Sequence, residues 1–147
     1  MEIVQATTEN AETIATRLSE HFTQVNKQFT YNKYKTDYQR ILEQVQERLT
    51  DPNSDFKYFI LLADNGELAG FVNTLNTPSI YEILYLDLME QYNTVENAKK
   101  LARFAIDMLK NVGADKILTE ATIVEPVYAQ AIEDLGAKLI ERKFILL

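Results

Sequence analysis

The sequence contains no cysteine and only one histidine, His21, among its 147 residues. Without cysteine there can be no disulfide, no thiolate nucleophile and no zinc or iron–sulfur site built on thiolates. One histidine cannot supply a metal cage made of histidines. We expect His21 to be structural, because it lies beside the apolar stripe of a helix, near the end where a cation suits the helix dipole.

Basic residues are also scarce, since 15 lysines and arginines face 22 aspartates and glutamates and the formal charge is −7. Such a surface repels phosphate backbones and anionic lipid, so we expect neither nucleic acid nor a membrane as a partner. No apolar run approaches the roughly 20 residues that span a bilayer, and the N-terminus lacks the features of a signal peptide. The sequence predicts a cytoplasmic protein with one domain over residues 1–147.

Glycine and proline are few, with four and three copies, and most of them mark a boundary of a predicted element, whereas Gly70 lies on a predicted strand. Asn65-Gly66 lies between two apolar runs and predicts a β-hairpin. Gly113 and Gly136 occupy the position after a helix that favours glycine, and Pro126 suits the first turn of a helix.

Apolar periodicity predicts ten elements in the order strand, helix, helix, strand, strand, strand, helix, strand, helix, strand. A helix separates the fifth predicted strand from the fourth, so these two strands should be parallel. This order predicts an α/β (α+β) layered fold around a mixed sheet. The predicted strands are Ile3–Ala6, Tyr58–Ala63, Leu68–Leu75, Tyr81–Asp87, Lys116–Thr122 and Ala137–Leu147, and the apolar stripes of the helices run over Ala11–Phe22, Tyr38–Leu49, Ala98–Leu109 and Pro126–Leu135.

Four segments, in this order and spacing, resemble the GNAT superfamily of acyl-coenzyme A dependent N-acyltransferases. The segments are Thr8–Ala15, Leu62–Phe71, Ile83–Asp87 and Leu135–Leu139. The resemblance covers the whole chain and implies the three-layer GNAT-like fold, with acetyl-CoA or another acyl-CoA as the acyl donor. The acceptor would be an amine of a small molecule or a protein, and the segment Phe22–Tyr38 would form part of its wall.

The family binds the pyrophosphate of coenzyme A with a loop of the form Gln/Arg-x-x-Gly-x-Gly/Ala, which matches Asn93–Ala98 here. Only Ala98 fits, and Glu96 stands where the first glycine belongs. A carboxylate at that place would repel phosphates. Asn93 and Glu96 also have the spacing of a capping box, in which the helix satisfies its own amide groups. The motif therefore predicts a divergent cofactor loop.

The resemblance also implies individual site residues. Glu82 stands in a place compatible with the general base of the family, with a solvated carboxylate at a strand end as the alternative. Backbone groups of Leu84 and Leu86 would contact the pantetheine arm. The tyrosine that often acts as general acid is replaced by Ile132, and we expect Tyr128, one helical turn away, to pack rather than to donate a proton.

Two functions remain open on the sequence. The first is an acyl-CoA dependent N-acyltransferase with a divergent cofactor loop. The second is a catalytically inactive GNAT-like module for binding or dimerisation, because the loop glycines and the tyrosine are missing. The apolar ending Phe144–Leu147 could pair with a second copy in a homodimer, or it could form a buried final strand.

Overall fold

The computed structural model describes residues 1–28, 35–122 and 124–141. The strands are β1 (Glu2–Gln5), β2 (Phe56–Leu62), β3 (Leu68–Asn76), β4 (Tyr81–Leu88) and β5 (Leu118–Thr119). The α-helices are α1 (Ala11–Gln28), α2 (Tyr38–Thr50), α3 (Val95–Asn111) and α4 (Pro126–Asp134). The aromatic residues at 29–34, expected in the acceptor wall, and the chain end at 142–147, expected to be a strand, lie outside the described residues.

The five strands of the described chain form one sheet in the order β1-β2-β3-β4-β5. The pairs from β1 to β4 are antiparallel, and β5 is parallel to β4. This confirms the predicted parallel crossover, which α3 provides. Asn65-Gly66 forms the predicted hairpin turn between β2 and β3, where Gly66 has a φ of +85° that favours glycine.

Helices cover both faces of the sheet. On one face, apolar side chains of α1 and α2 such as Ile14 and Val45 pack against Phe71 of β3. On the other face, Leu101 of α3 and Ala131 of α4 pack against the sheet around Val72. No helix in the described ranges has the length and apolar character that crossing a bilayer requires.

A β-bulge interrupts the pairing of β3 with β4. Asn73 is opposite Tyr85, but the next residue, Thr74, is opposite Ile83, so Leu84 is an extra residue on β4. The bulge changes which side chains of β4 point to which face of the sheet. Ile83 and Leu86 consequently both pack on the α3 side.

The predicted final strand is wrong for its described part. Residues 137–141 follow α4 without any strand pairing, and Leu139 and Ile140 are 70% and 80% exposed. Because these apolar side chains are not buried, packing does not hold this stretch against the sheet. The strand predicted over Lys116–Thr122 is also shorter than expected, since only Leu118–Thr119 pair with β4.

Candidate functional site

A cleft opens between β4 and β5 because these strands pair at only two positions. Glu82 is opposite Leu118 and Ile83 is opposite Thr119, and beyond them β4 has no pairing with β5. The cleft contains a cavity of about 300 Å³, which we call the first cavity. Its walls are Tyr85–Leu88 of β4, the segment 124–128 at the start of α4, part of α1 and the region before α3.

A hydrogen-bonded chain holds β4, β5 and α4 together at the base of this cleft. Thr119 Oγ1 donates to the carbonyl oxygen of Ile83 at 3.0 Å and lies 2.6 Å from the hydroxyl oxygen of Tyr128. Because the hydroxyl hydrogen of Thr119 is used toward Ile83, Tyr128 must donate to Thr119. Burial raises the pKa of Tyr128. Its proton is therefore engaged in structure, in line with the packing role expected from the sequence.

A second cavity of about 420 Å³ lies between α1, α2 and the sheet. Aromatic residues and carboxylates form much of its walls, and Arg48 is the one lysine or arginine among its described lining residues. The Arg48 guanidinium is already engaged, because it lies 3.5 Å from the ring centroid of Phe56 and donates to the Tyr58 hydroxyl at 3.3 Å. Since three carboxylates outnumber this guanidinium, the cavity fits an organic cation better than an anion. The residues that give it this character are Phe22, Phe56, Tyr58, Tyr85, Glu82, Glu120 and Glu125.

The structure places the four site residues implied by the resemblance in two different cavities. Leu86 and the fully buried Ala98 line the first cavity, whereas Glu82 and Leu84 line the second. The bulge at Leu84 causes this division, because the extra residue interrupts the normal alternation and places Leu84 and Leu86, two residues apart, on opposite faces. Glu82 is partly buried, and burial, together with repulsion from Glu120, raises its pKa.

Asn73 is a wall residue of the second cavity that sequence reasoning missed. It is 5% exposed, and its Oδ1 has no hydrogen-bond partner within the described part of the chain. A buried amide oxygen without a partner is unfavourable in an empty protein and becomes satisfied when a ligand donates a hydrogen bond to it. No local signal marks Asn73, because its partner position opposite Tyr85 depends on the β3–β4 register.

Among the described residues, three line both cavities: His21, Tyr85 and Glu125. The rings of His21 and Tyr85 lie 4.5 Å apart, and His21 Nε2 lies 3.6 Å from Glu125 Oε1. The other oxygen, Glu125 Oε2, accepts hydrogen bonds from Thr122 N at 2.7 Å and Thr122 Oγ1 at 3.1 Å. The cavities therefore meet at a histidine–carboxylate pair of which one carboxylate oxygen is already fixed.

Burial shifts both members of this pair toward their neutral forms. It lowers the pKa of His21 to about 4, and it raises the pKa of Glu125 in spite of the hydrogen bonds from Thr122. The expected placement of His21 near a helix end is wrong, because α1 continues to Gln28, about two turns further. His21 is thus a neutral residue within the helix at ordinary pH, and the helix dipole does not explain its position.

The N-terminus of α3, where the resemblance places the phosphate loop, is capped differently from the prediction. Thr94 is the N-cap, and its hydroxyl oxygen accepts from Asn97 N at 3.2 Å. The predicted capping box of Asn93 and Glu96 is wrong, since a threonine hydroxyl one residue later reaches the free amide first. The Glu96 side chain is 85% exposed and lies 3.6 Å from Lys99 Nζ.

Backbone amides around this N-terminus have internal partners. Asn93 N donates to the carbonyl oxygen of Glu90 at 3.3 Å, and Thr94 N donates to that of Tyr92 at 2.9 Å. Ala98 N donates to the carbonyl oxygen of Thr94 at 3.0 Å. A phosphate loop needs amides that point at its ligand, and in this segment only the amides of Val95 and Glu96 lack an internal partner among the described residues. The segment therefore offers a phosphate few donors.

The charges around the first cavity also disfavour the binding of phosphate. Arg17 is the single lysine or arginine among its described lining residues. Its guanidinium donates to both carboxylate oxygens of Asp87, at 2.5 and 3.0 Å, and to the carbonyl oxygen of Leu88 at 3.2 Å. Carboxylates of Glu20 and Glu90 line the same cavity. The cavity is therefore acidic, and its arginine is already paired.

Solved structures similar to this chain include several acetyltransferases. A probable acetyltransferase aligns over 100% of this chain and 97% of its own, with 20% sequence identity and a TM-score of 0.71. PaiA N-acetyltransferase from Thermoplasma acidophilum, in complex with coenzyme A, aligns over 97% of this chain and 92% of its own, with 19% identity and a TM-score of 0.73. An aminoglycoside N-acetyltransferase in complex with coenzyme A aligns over 99% and 98%, with 16% identity and a TM-score of 0.64.

No family model matches the sequence, and no curated protein matches it. The similarity is therefore carried by the arrangement of strands and helices along nearly the full length of each chain. The chain has the fold of the GNAT superfamily of N-acyltransferases, as the resemblance in its sequence implied.

Proposed function

We propose that the protein is an acyl-CoA dependent N-acyltransferase, with the acyl donor in the first cavity and the acceptor amine in the second. The observation that carries this proposal is the junction of the two cavities at His21, Tyr85 and Glu125. Two molecules that react must bring their reacting atoms together, and adjoining cavities provide that proximity. The two N-acetyltransferases of similar fold that were solved with coenzyme A support the choice of donor.

The first cavity suits the pantetheine arm of the acyl donor but does not suit its phosphates. Leu86, Leu88 and Val127 give it apolar walls, and the stretch of β4 beyond Ile83 has no strand partner on the β5 side. An extended pantetheine arm suits such a strand edge. The acidic lining and the internally bonded amides before α3 do not suit the phosphates. We therefore expect the arm to supply most of the donor affinity.

The second cavity suits a cationic amine that carries an apolar or aromatic body. Glu82 and Glu120 favour an ammonium group, and Tyr58 and Phe56 favour the body that bears it. Asn73 Oδ1 can accept a hydrogen bond from the ligand. Since the pKa of Glu82 is raised by burial, its carboxylate can either attract the ammonium or accept its proton.

A non-catalytic binding module is the second candidate, and one observation favours it. The amides and carboxylates that face the expected phosphate position are unsuited to coenzyme A. In that case the second cavity would still bind a cationic ligand, and the exposed Leu139 and Ile140 would be available for contact with a second copy. The melting temperature of such a module would rise with a cationic amine, but the module would release no thiol from an acyl donor.

Thermal melts with acetyl-CoA, S-acetylpantetheine and an adenine nucleotide control test the proposal. A ligand at about 100 times its dissociation constant adds roughly 2.7 kcal/mol to the unfolding free energy, which raises the melting temperature by several degrees at this size. We expect both acetyl donors to raise it and the nucleotide to leave it unchanged. Thiol release with a panel of primary amines then measures transfer, and a flat melt with both donors at millimolar concentration would contradict the proposal.

Glu90→Gln is a matched variant for the electrostatic part of this argument. Glu90 lines the first cavity and is exposed, so its replacement removes one charge without disturbing the core. We expect acetyl-CoA to bind a few-fold more tightly and S-acetylpantetheine to bind as before, because only the former carries the phosphates. Equal changes for both donors would contradict the acidic-cavity argument.

A further inference from the structure

Acyl transfer to an amine has to occur where the two cavities meet. The residues available there are His21, Tyr85 and Glu125, because each of them lines both cavities. Glu82, the proton acceptor implied by the resemblance, lines only the second cavity. A base must reach the reacting nitrogen directly or through one water, so the junction is the better place to search for it. This inference rests on the proposed function.

Glu125 has the geometry of a positioned base. It is the N-cap residue of α4, and its side chain is only 11% exposed. Thr122 holds one carboxylate oxygen with two hydrogen bonds. The other oxygen, Oε1, faces His21 at 3.6 Å, too far for a hydrogen bond in this state. One oxygen is thus anchored and the other remains able to accept a proton.

We propose that Glu125, held in place by Thr122, is the proton acceptor of the transfer reaction. Glu125 Oε1 takes the proton that the amine nitrogen loses as its bond to the carbonyl carbon forms. The carbon–sulfur bond breaks, and its electron pair leaves with the sulfur. The proton passes from Glu125 through water to the sulfur, so that in sum one proton moves from nitrogen to sulfur. Glu82 attracts the ammonium form of the acceptor into the second cavity. This ammonium first gives one proton to water, and the neutral amine that results is the species that attacks and then loses its second proton to Glu125.

The surroundings of Glu125 keep its proton affinity high. Burial raises the pKa of its carboxyl group, and the carboxylates of Glu120 and Asp87 add to the shift. His21 does not counteract this effect as a cation, since its own pKa is about 4. A carboxyl group with a raised pKa is a more effective base near neutral pH. The other titratable or charged groups in the described lining of its two cavities are Arg17, Glu20 and His21 from α1, Arg48 from α2, Tyr58 from β2, Glu82, Tyr85 and Asp87 from β4, Glu90 before α3, Glu120 after β5, and Tyr128 from α4.

Glu125→Gln tests the assignment, because the amide keeps the shape and can still accept from Thr122 but cannot take up a proton. With acetyl-CoA and an active amine such as phenethylamine, we expect kcat to fall by roughly 10²- to 10⁴-fold with little change in KM. In the wild-type protein the rate should fall as the pH drops below the pKa of Glu125. We expect Glu125→Gln to lose this dependence and Glu125→Asp to retain it at a reduced rate.

Glu82→Gln is the matched control, since it makes the same chemical change in the second cavity alone. We expect it to raise KM for the amine and to keep the acidic limb of the pH profile. Unchanged melting temperatures and S-acetylpantetheine binding would show that both variants are folded. Transfer by Glu125→Gln within threefold of wild type, or loss of the acidic limb in Glu82→Gln instead, would overturn the assignment and leave the proposed function intact. Absence of transfer by the wild-type protein with every amine would overturn both.

Discussion

Gly70 of β3 fixes how closely β3 approaches β4, and its replacement by alanine gives a prediction that can be worked from distances. A Cβ atom at Gly70 would lie 2.4 Å from the carbonyl oxygen of Asp87 and 2.7 Å from Cδ2 of Leu88. Ordinary contacts of a Cβ atom begin near 3.4 Å. The nearest atom belongs to the backbone of β4, so the two strands must separate by about 1 Å.

The cost follows from what this separation disturbs. Overpacking of a core costs typically 1–3 kcal/mol, and each weakened ladder hydrogen bond adds about 1 kcal/mol. Asp87 and Leu88 also hold the guanidinium of Arg17. We therefore expect Gly70→Ala to lower the free energy of unfolding by about 2–4 kcal/mol and the melting temperature by roughly 5–15 °C.

Urea denaturation of Gly70→Ala, with Gly66→Asn as the control, checks this magnitude. No atom lies within 4 Å of a Cβ at Gly66, and its φ of +85° is one that asparagine tolerates. We expect the control to lose less than about 1 kcal/mol. If Gly70→Ala lost no more than Gly66→Asn, the close approach of β3 and β4 would not limit the position of the β4 wall.

Three further predictions concern groups at the cavities. Tyr128→Phe should cost about 1 kcal/mol of stability through its lost hydrogen bond to Thr119, and it should leave the pH–rate profile unchanged. A large fall in kcat together with loss of an alkaline limb of the wild-type profile would contradict the structural role. His21 has a pKa of about 4 in the folded protein and about 6.5 when unfolded, so the unfolded chain binds a proton more readily. The free energy of unfolding should therefore decrease as the pH is lowered from 6.5 to 4. The melting temperature of His21→Leu should decrease less over that interval, and an equal decrease would contradict the argument. Arg17→Met should cost about 2–3 kcal/mol because Asp87, with its side chain 14% exposed, loses its partner; a double-mutant cycle with Asp87→Asn that gives no coupling would refute this.

The parts of the fold that the sequence predicts well depend on local patterns. The stripe of α3 repeats with the helical period and ends at Gly113, and Asn65-Gly66 specifies a tight turn by itself. The capping of α3 was predicted one residue early, because Asn93 and Thr94 are both good caps and only the path of the chain decides between them.

The site is harder to predict because its contacts are long-range. Arg17 and Asp87 are separated by 70 residues in sequence, and the approach of His21 to Glu125 depends on how α1 and α4 meet across the cleft. Glu125 precedes a proline at a helix start, which indicates a turn and nothing about burial. The sequence indicates the strand whose residues line both cavities, but it does not indicate that His21 and Glu125 meet where the cavities join.

The bulge in β4 has a consequence for how this protein can change over time. Before Leu84, even-numbered residues such as Glu82 serve the second cavity; after it, even-numbered residues such as Leu86 serve the first. Point substitutions in β4, other than at Tyr85, which lines both cavities, can therefore alter the first cavity and the second cavity independently. Loss or gain of a single residue in the strand would instead exchange the two sets of walls at once, so the length of β4 is under a stricter constraint than its composition.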